Sequence, residues 1–398
     1  MLKGKVVILG VTGGIAAYKA VELLRLLTKA GADVHVIMTE GAMEFVAPLT
    51  FQTLSMNPVA TSLFNLLSER EIGHIALADR ADLMVIAPAT ANTVGKISNG
   101  IADDMLTTTA MATKAPILIA PAMNVNMYQS PAYRDNEARL KSRGVLFAEP
   151  VKGTLACGWE GEGKLQEPQV IFQEVVAALS KKDLSGERIL VTAGPTREEI
   201  DPVRFISNHS SGKMGYSIAA AARRRGADVT LVTGPASVHK PYGVEIVPVV
   251  SAREMREAVM SRAIDCSVII KAAAVADYRP AERSGKKIKK GAAPATLELV
   301  RNPDILEELG KVKGESILVG FAAETEDLLR NARSKLKRKN LDMIVANDVS
   351  RPGAGFDGET NMARLIFRDG RSEELPLMSK DEMADIILDR IVELKRGR

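Results

Sequence analysis

Cysteine is almost absent from this chain: Cys157 and Cys266 are the only two among 398 residues. Two thiols cannot build a disulfide framework, so the fold has to rest on its own core, and a reducing, cytoplasmic setting is expected. Histidine is also sparse, and His35, His74, His209 and His239 offer no zinc-ligand spacing. Aromatic residues make up only 4%, too few for a base-stacking platform. The net charge of +4 is too mild for a nucleic-acid coat and suits anionic small molecules. No uninterrupted apolar run is long enough to cross a bilayer. The N-terminus has the look of a signal peptide, but Gly13-Gly14 interrupts its apolar run and Lys19 and Glu22 follow. It reads as strand, turn and helix. Neither nucleic acid nor membrane is expected as a partner.

What is present is an α/β pattern, met twice. The length exceeds one ordinary core and predicts two domains. Lys5 to Val11 is a β-branched run, Thr12-Gly13-Gly14 turns it, Ile15 to Ala30 has helical spacing, Gly31 ends that helix, and Val34 to Met38 is a second strand. Leu83 to Ala87 and Ile117 to Ala120 read as buried strands stopped by Pro88 and Pro121. The loops beyond them, Ala89-Thr90-Ala91-Asn92-Thr93 and Ala122-Met123-Asn124, lie where open α/β sheets bind ligands. The glycine density from Gly153 to Gly163, which includes Cys157, predicts a mobile flap rather than a core element. After a polar join at 180–187 the pattern restarts with a strand at Arg188 to Val191 and a helix at Met214 to Arg225. The domains are therefore placed at 1–186 and 187–398.

Between that strand and helix runs a polar loop holding Asp201, Arg204, Asn208, Ser210, Ser211 and Lys213. Strand, polar loop and helix start in that order make an anion-binding geometry. It is not a Walker loop, because the first glycine is missing and Met214 stands where Ser or Thr is required. His74, Asn124 and Cys157 together offer a base, a rigid amide and a thiol, a set suited to moving protons beside a cofactor. Each alone has a plain structural reading: a helix-start histidine, a turn cap, an idle thiol. Cys266, ahead of a buried strand, reads as core. Asp277 and Asp304 either touch sugar or metal or cap turns. Absence of GxGxxG in both halves disfavours a nicotinamide oxidoreductase, and the joint presence of His74, Asn124 and Cys157 disfavours a catalytically silent flavoprotein regulator.

The ordered set of motifs resembles one family over nearly the whole chain. It runs through Gly13-Gly14-Ile15, Gly73-His74-Ile75, Pro88 to Thr93, Pro121 to Met127 and Leu155-Ala156-Cys157-Gly158. It continues through Gly194-Pro195-Thr196, Ile206 to Gly215, Ala273 to Tyr278, Lys287 to Lys290, Asn302 to Ile305, Gly320 to Thr325 and Ala346-Asn347-Asp348. The family is that of the bifunctional phosphopantothenoylcysteine decarboxylase/phosphopantothenate–cysteine ligases of coenzyme A biosynthesis. Thr90 departs from its usual serine and Tyr128 from a frequent tryptophan.

The resemblance implies two Rossmann-like domains, a flavodoxin-like flavoprotein followed by a ligase. It implies FMN, its phosphate near Gly13, Gly14 and Thr39 and its ring near Thr90, Ala91, Asn92 and Thr93. His74 is then the active-site base, Asn124 holds the substrate carboxylate with Met127 nearby, and Cys157 is the flap thiol that gives a late proton. Oxidation of the cysteinyl thiol to a thioaldehyde makes loss of CO2 feasible, because the thiocarbonyl accepts the electron pair. In the second half the resemblance implies that CTP and Mg²⁺, whose ligands are not assigned, activate 4′-phosphopantothenate as an acyl-cytidylate that L-cysteine then attacks. Asn208 belongs to the acyl-cytidylate step with Arg204 beside it, and Lys287 to the condensation. Ala272, Ala273, Ala274, Asp277, Lys287, Pro303, Asp304, Ile305, Leu306, Phe321, Lys335 and Lys339 match nucleotide-contact positions. A homo-oligomer of trimeric flavin domains and dimeric ligase domains, up to a dodecamer, is also implied.

Overall fold

The structure, a computed structural model, describes residues 2–63, 73–154, 158–289, 296–324, 328–348 and 358–397; Cys157, Lys290 and Thr325 lie outside them. The chain divides into two compact units, Met1–Ser180 and Lys181–Arg398.

The first unit begins with β1 (Val6–Val11), α1 (Ala17–Lys29), β2 (Asp33–Met38), α2 (Glu40–Met43), α3 (Pro48–Ser55) and α4 (Gly73–Arg80). It continues with β3 (Leu83–Ala89), α5 (Ala91–Asn99), α6 (Met105–Ala112), β4 (Ile117–Pro121), α7 (Val125–Gln129), α8 (Pro131–Ser142) and β5 (Leu146–Phe147). A hairpin of β6 (Val151–Thr154) and β7 (Glu160–Lys164) precedes α9 (Pro168–Leu179). The five parallel strands lie in the order β2-β1-β3-β4-β5. Both faces are covered, which is why these strands read as continuous apolar runs. Leu83, Val85 and Ala87 point into one core with Leu23, Leu27 and Val175, while Met84 and Ile86 point into the other with Leu106 and Leu140.

One expectation needs correction. Pro88 does not stop its strand, which runs on to Ala89, whereas β4 does end at Pro121. Ala89 pairs with Pro121 after a register shift, Ala122 donates its N–H to the Ala89 carbonyl at 3.0 Å, and the Pro88 carbonyl still accepts from Thr12. Proline removes a donor, not an acceptor, so the extended chain survives at a position where no N–H is needed. Gly153, Gly161 and Gly163 belong to the β6–β7 hairpin, and residues 155–157 of the same stretch lie outside the described residues. A Cβ at Gly163 would sit 2.4 Å from the Met123 carbonyl oxygen, and one at Gly161 would sit 2.6 Å from Val125. These glycines allow close backbone approach to the turn that carries Asn124.

The second unit comprises β8 (Arg188–Ala193), β9 (Arg197–Glu199), β10 (Phe205–Ser207), α10 (Lys213–Arg224), β11 (Asp228–Thr233), β12 (Glu245–Pro248), α11 (Ala252–Ala263) and β13 (Val268–Lys271). Then come β14 (Tyr278–Pro280), β15 (Leu299–Arg301), α12 (Ile305–Val312), β16 (Ile317–Glu324), α13 (Leu328–Arg338), β17 (Met343–Asp348), β18 (Thr360–Phe367), β19 (Ser372–Ser379) and α14 (Lys380–Arg396). Eight strands order as β12-β11-β8-β13-β16-β17-β18-β19; the first six are parallel and the last two antiparallel. α10 and α14 cover one face, and α11, α12 and α13 the other. The β18–β19 hairpin is longer than the single strand at Leu365 to Phe367 that the apolar pattern indicates. Gly370, at φ 93°, lies in its turn.

The polar join belongs to the second unit. Leu184 is buried in its core, and Asp183 takes two hydrogen bonds, at 2.8 and 2.7 Å, from the guanidinium of the fully buried Arg225. Arg225 also reaches Asp389 at 2.8 Å and the Asp385 carbonyl at 3.1 Å. Docking of Asp183 and Leu184 sets the division at 180/181, ahead of the boundary after residue 186.

Candidate functional sites

Each sheet has one switch point, where the chain leaves the first strand toward one side and later returns on the other. In the first unit it lies between β1 and β3, and Thr12 closes it. The buried Thr12 hydroxyl donates to the Pro88 carbonyl at 2.8 Å and accepts from the Thr90 N–H at 3.0 Å. Thr39, at the end of β2, donates its N–H to the Val11 carbonyl at 3.1 Å. Gly13, Gly14, Thr39 and Thr90 are thereby gathered on one edge. A Cβ at Gly13 would lie 2.8 Å from the backbone carbon of Gly41, whereas one at Gly14 would meet nothing within 4 Å. The N-terminus of α1 has no side-chain cap and no acidic residue in its first turn. A tight glycine turn, open space and uncapped helix amides fit a phosphate monoester.

Thr90 caps α5, its oxygen accepting from Thr93 N–H at 3.3 Å and lying 3.1 Å from the Thr93 hydroxyl. Thr93 is buried by this role, Ala91 is half-buried, and Asn92 is exposed on the same edge. Asn124 caps α7 beyond β4, accepting from Asn126 N–H at 2.8 Å, and Met127 is exposed one turn on. Tyr128 is buried beneath the Arg134 guanidinium, 3.9 Å from the ring centre, and donates to Glu149 at 3.2 Å. Burial pushes the Tyr128 phenol up to about 12, so it stays a donor and anchors the Asn124 turn. His74 is half-buried at the start of α4, which returns the chain to the amino end of β3 and therefore begins at the carboxyl edge. Cys157 lies outside the described residues.

The switch point of the second unit lies between β8 and β13. Ala274 N–H donates to the Gly194 carbonyl at 3.0 Å, Ala273 N–H to the Thr192 hydroxyl at 3.1 Å, and Ala276 N–H to the Thr196 hydroxyl at 3.0 Å. α10 starts directly above. A Cβ at Gly215 would lie 2.6 Å from that of Ala193, and Gly212, the N-cap, sits at φ 80°. Glycine at both positions lets the helix start press onto the strand. Over this junction opens a cleft of about 430 Å³, lined by Asn208, Ala272, Ala273, Ala274 and Phe321 among others. Asn208 bridges its two walls, its amide donating to the Val275 carbonyl at 3.0 Å. Lys213 and Lys380 add cations, and Asn361 donates to Asn347 at 3.3 Å. Asn361 and Lys380 were missed by sequence reasoning. They arrive from the antiparallel end of the sheet, and no local spacing connects them to residue 208.

The remaining expected residues sit in two neighbouring groups. Asp201 is buried and accepts N–H bonds from Val203 at 2.8 Å, Arg204 at 2.9 Å and Ile288 at 3.2 Å. Burial opposes its charge, yet these backbone donors hold its carboxyl below the usual range. Arg204 in turn donates to the Ile288 carbonyl at 2.9 Å. Asp201 thus ties the exposed Lys287 segment to the loop that leads to Asn208. The second group lies at the start of α12. Asp304 caps that helix and pairs with Lys339 at 2.8 Å. Burial works against the Asp304 carboxylate, but Lys339 and the Glu307 N–H outweigh it and keep its carboxyl low. Ile305 is core, so its side chain is not available to a ligand; Pro303, Leu306 and Lys335 are half-buried, and Asp277 is exposed. Cys266 is half-buried against the core that contains Ile269, and burial raises its thiol. Among the described residues no three His, Cys, Asp or Glu side chains converge as a metal site; Mg²⁺ bound to phosphates keeps several waters and does not require such a cage. No helix among the described residues is long and apolar enough to cross a membrane.

Residues 1–180 match the Flavoprotein family, and residues 184–394 match the DNA/pantothenate metabolism flavoprotein C-terminal domain. The chain is similar to the coenzyme A biosynthesis bifunctional protein CoaBC of Bacillus subtilis (strain 168), with 52% identity over 100% of this chain and 98% of that one. Against the protein of the same description from Escherichia coli (strain K12) the identity is 47% over 98% of this chain and 97% of that one. Among solved structures, the crystal structure of the C-terminal domain of a coenzyme A biosynthesis bifunctional protein CoaBC is 44% identical over 55% of this chain and all of that one, with a TM-score of 0.48.

Proposed function

The chain belongs to the family of bifunctional coenzyme A biosynthesis proteins, a flavoprotein decarboxylase joined to a phosphopantothenate–cysteine ligase, and from that premise we propose which residues carry each reaction. The observation behind this reading is the full-length match at 52% identity, combined with a separate switch-point site in each unit. The first unit is the decarboxylase, acting on 4′-phosphopantothenoylcysteine, and the second the ligase, acting on 4′-phosphopantothenate, L-cysteine and CTP with Mg²⁺, in the cytoplasm and as a homo-oligomer.

FMN, the flavin proposed for the first site, supplies a two-electron acceptor when bound and returns the pair within the turnover, so the decarboxylation is redox-neutral. Gly13, Gly14 and Thr39 would hold its phosphate against the α1 amides, with Thr90, Ala91 and Asn92 along the ring; Thr93 supports them by locking Thr90. His74 takes a proton from the substrate, Asn124 orients the carboxylate that leaves as CO2, and Cys157 gives the closing proton. In the second site Lys213, Lys380 and the α10 amides suit a triphosphate. Asn208 orients the carboxylate that attacks the α-phosphorus, forming the acyl-cytidylate and releasing pyrophosphate. The cysteine amine then displaces CMP, with Lys287 supplying positive charge at the reacting groups.

Purified protein given 4′-phosphopantothenate, cysteine, CTP and Mg²⁺ is expected to release CO2 and form 4′-phosphopantetheine; no product with any nucleotide would refute the assignment. The Cys157→Ser variant is expected to release CO2 and stall before the final reduction, and loss of CO2 release itself would remove Cys157 from the late step. Asp201→Ala frees the Lys287 segment, and a misplacement of that kind is expected to lower ligase kcat/KM by about 10- to 100-fold, with decarboxylation unchanged. Ligase kinetics equal to wild type would show that the Asp201 tether is merely structural.

A further inference from the structure

Lys271 is the last residue of β13, directly before the alanines that line the second cleft, and no step above uses it. Its side chain is 7% exposed. It points away from the α10 side into the core between α11 and α12, where Met255 Sδ lies 3.9 Å from its Nζ. A thioether is a weak acceptor and does not replace the hydration of an ammonium group. The charged groups acting on it are Lys339, which repels a proton there, and Asp304, which attracts one. α11 contributes the uncharged Met255, and the Arg256–Glu308 pair that joins α11 to α12 is closed on itself at 2.7 Å. Burial, the largest influence, with Lys339 adding to it, pushes the Lys271 amine down to about 7. It is therefore mostly neutral in mildly alkaline solution, within the field of a carboxylate whose partner is another lysine.

We propose that Lys271 is a positioning residue for the ligase nucleotide, an amine that takes up a proton when Lys339 leaves Asp304 for the triphosphate. This rests on the reading of Lys339 as a nucleotide contact. Lys339 holds Asp304 at 2.8 Å in the ligand-free chain, and one ammonium cannot neutralise both the Asp304 carboxylate and a phosphate. When Lys339 turns to the nucleotide, both influences on Lys271 change in the same direction: the repelling cation withdraws and the carboxylate loses its partner. Lys271 then accepts one proton from solvent, becomes an ammonium and compensates Asp304, which still caps α12. No other bond is made or broken. The start of α12 keeps its electrostatic balance in both states, so Lys339 can move without loosening the helix that flanks the site.

The test is calorimetric titration of the full-length protein with CTP and Mg²⁺ near pH 8.5, in buffers of different ionisation enthalpy. Uptake of about one proton per nucleotide is expected, shrinking toward about pH 6, where the amine is already charged before binding. Lys271→Met, which removes the amine and keeps an apolar chain, should bind CTP without the uptake. Should that variant fail to fold, Asp304→Asn, which leaves Lys271 in place and removes the charge to be compensated, should also lose the uptake. Binding by wild type with no proton uptake, or uptake persisting in either variant, would overturn the proposal alone. Failure of wild type to bind CTP would overturn the ligase nucleotide reading and this proposal together.

Discussion

Asn208→Ala is expected to lower the ligase rate by about 10²- to 10³-fold, the range for losing one preorganised donor at a reacting centre, while decarboxylation of supplied 4′-phosphopantothenoylcysteine stays at the wild-type rate. The geometry explains both halves of that result. Asn208 is anchored through Val275 to the end of β13, so its amide is held over the cleft without help from substrate. Ser207, the residue before it, is fixed by its hydroxyl donating to the Thr196 carbonyl at 2.7 Å, and the Thr196 hydroxyl accepts from Ala276 N–H on the opposite wall. Alanine at 208 removes the bridge and the donor together but touches no core residue, so the melting curve should be little changed. The residues proposed to hold the flavin belong to the other compact unit. Equal loss of both activities would mean that Asn208 acts on folding or assembly rather than on the acyl transfer.

Arg225→Met is expected to destabilise the second unit by about 3 kcal/mol at neutral pH, the low end for breaking a buried ion pair by removing one partner. The low end applies because Asp183 and Asp389 retain 18% and 38% side-chain exposure and regain some water. The cause is specific. Arg225 is 1% exposed and satisfied by Asp183, Asp389 and the Asp385 carbonyl, so one side chain pins the start of the unit to its last helix. The hydrogen bond from Arg225, opposed by burial, holds the Asp183 carboxyl below its ordinary range. A depressed carboxyl contributes stability above its unfolded value near 3.9, and that contribution is lost as pH falls through its folded value. The stability gap between wild type and variant should therefore be largest at neutral pH and narrow below about pH 4. Chemical denaturation at both pH values checks this; a gap under about 1 kcal/mol at neutral pH would place Arg225 among ordinary surface ion pairs.

Much of this protein was decided locally. The parallel strands were legible because burial on both faces writes an uninterrupted apolar run into the chain, as in Ile189, Leu190 and Val191. The switch-point turns were legible because close backbone approach demands glycine: Gly13 against Gly41, Gly215 against Ala193. Motif order then identified the family, since residues that touch reacting groups are restricted in kind and sequence even where spacing varies. The tertiary structure decided what depends on contacts far apart in the chain. Proline reads as a stop at both Pro88 and Pro121, and β4 does end at Pro121; at Pro88 sequence cannot say whether an N–H is needed, and the neighbouring strand shows that it is not. The glycines from Gly153 to Gly163 read as a flap, and only the structure shows Gly161 and Gly163 pressed against the turn that carries Asn124, because composition does not record close packing. Asn361 and Lys380 entered the second cleft only through antiparallel pairing at the sheet edge. Lys271 closed an apolar run in a way that sequence reads as the end of a strand. Only the packing of α11 and α12 around it removed its water and brought it under the influence of Asp304 and Lys339, because burial and electrostatic environment are properties of the folded neighbourhood and of no single segment.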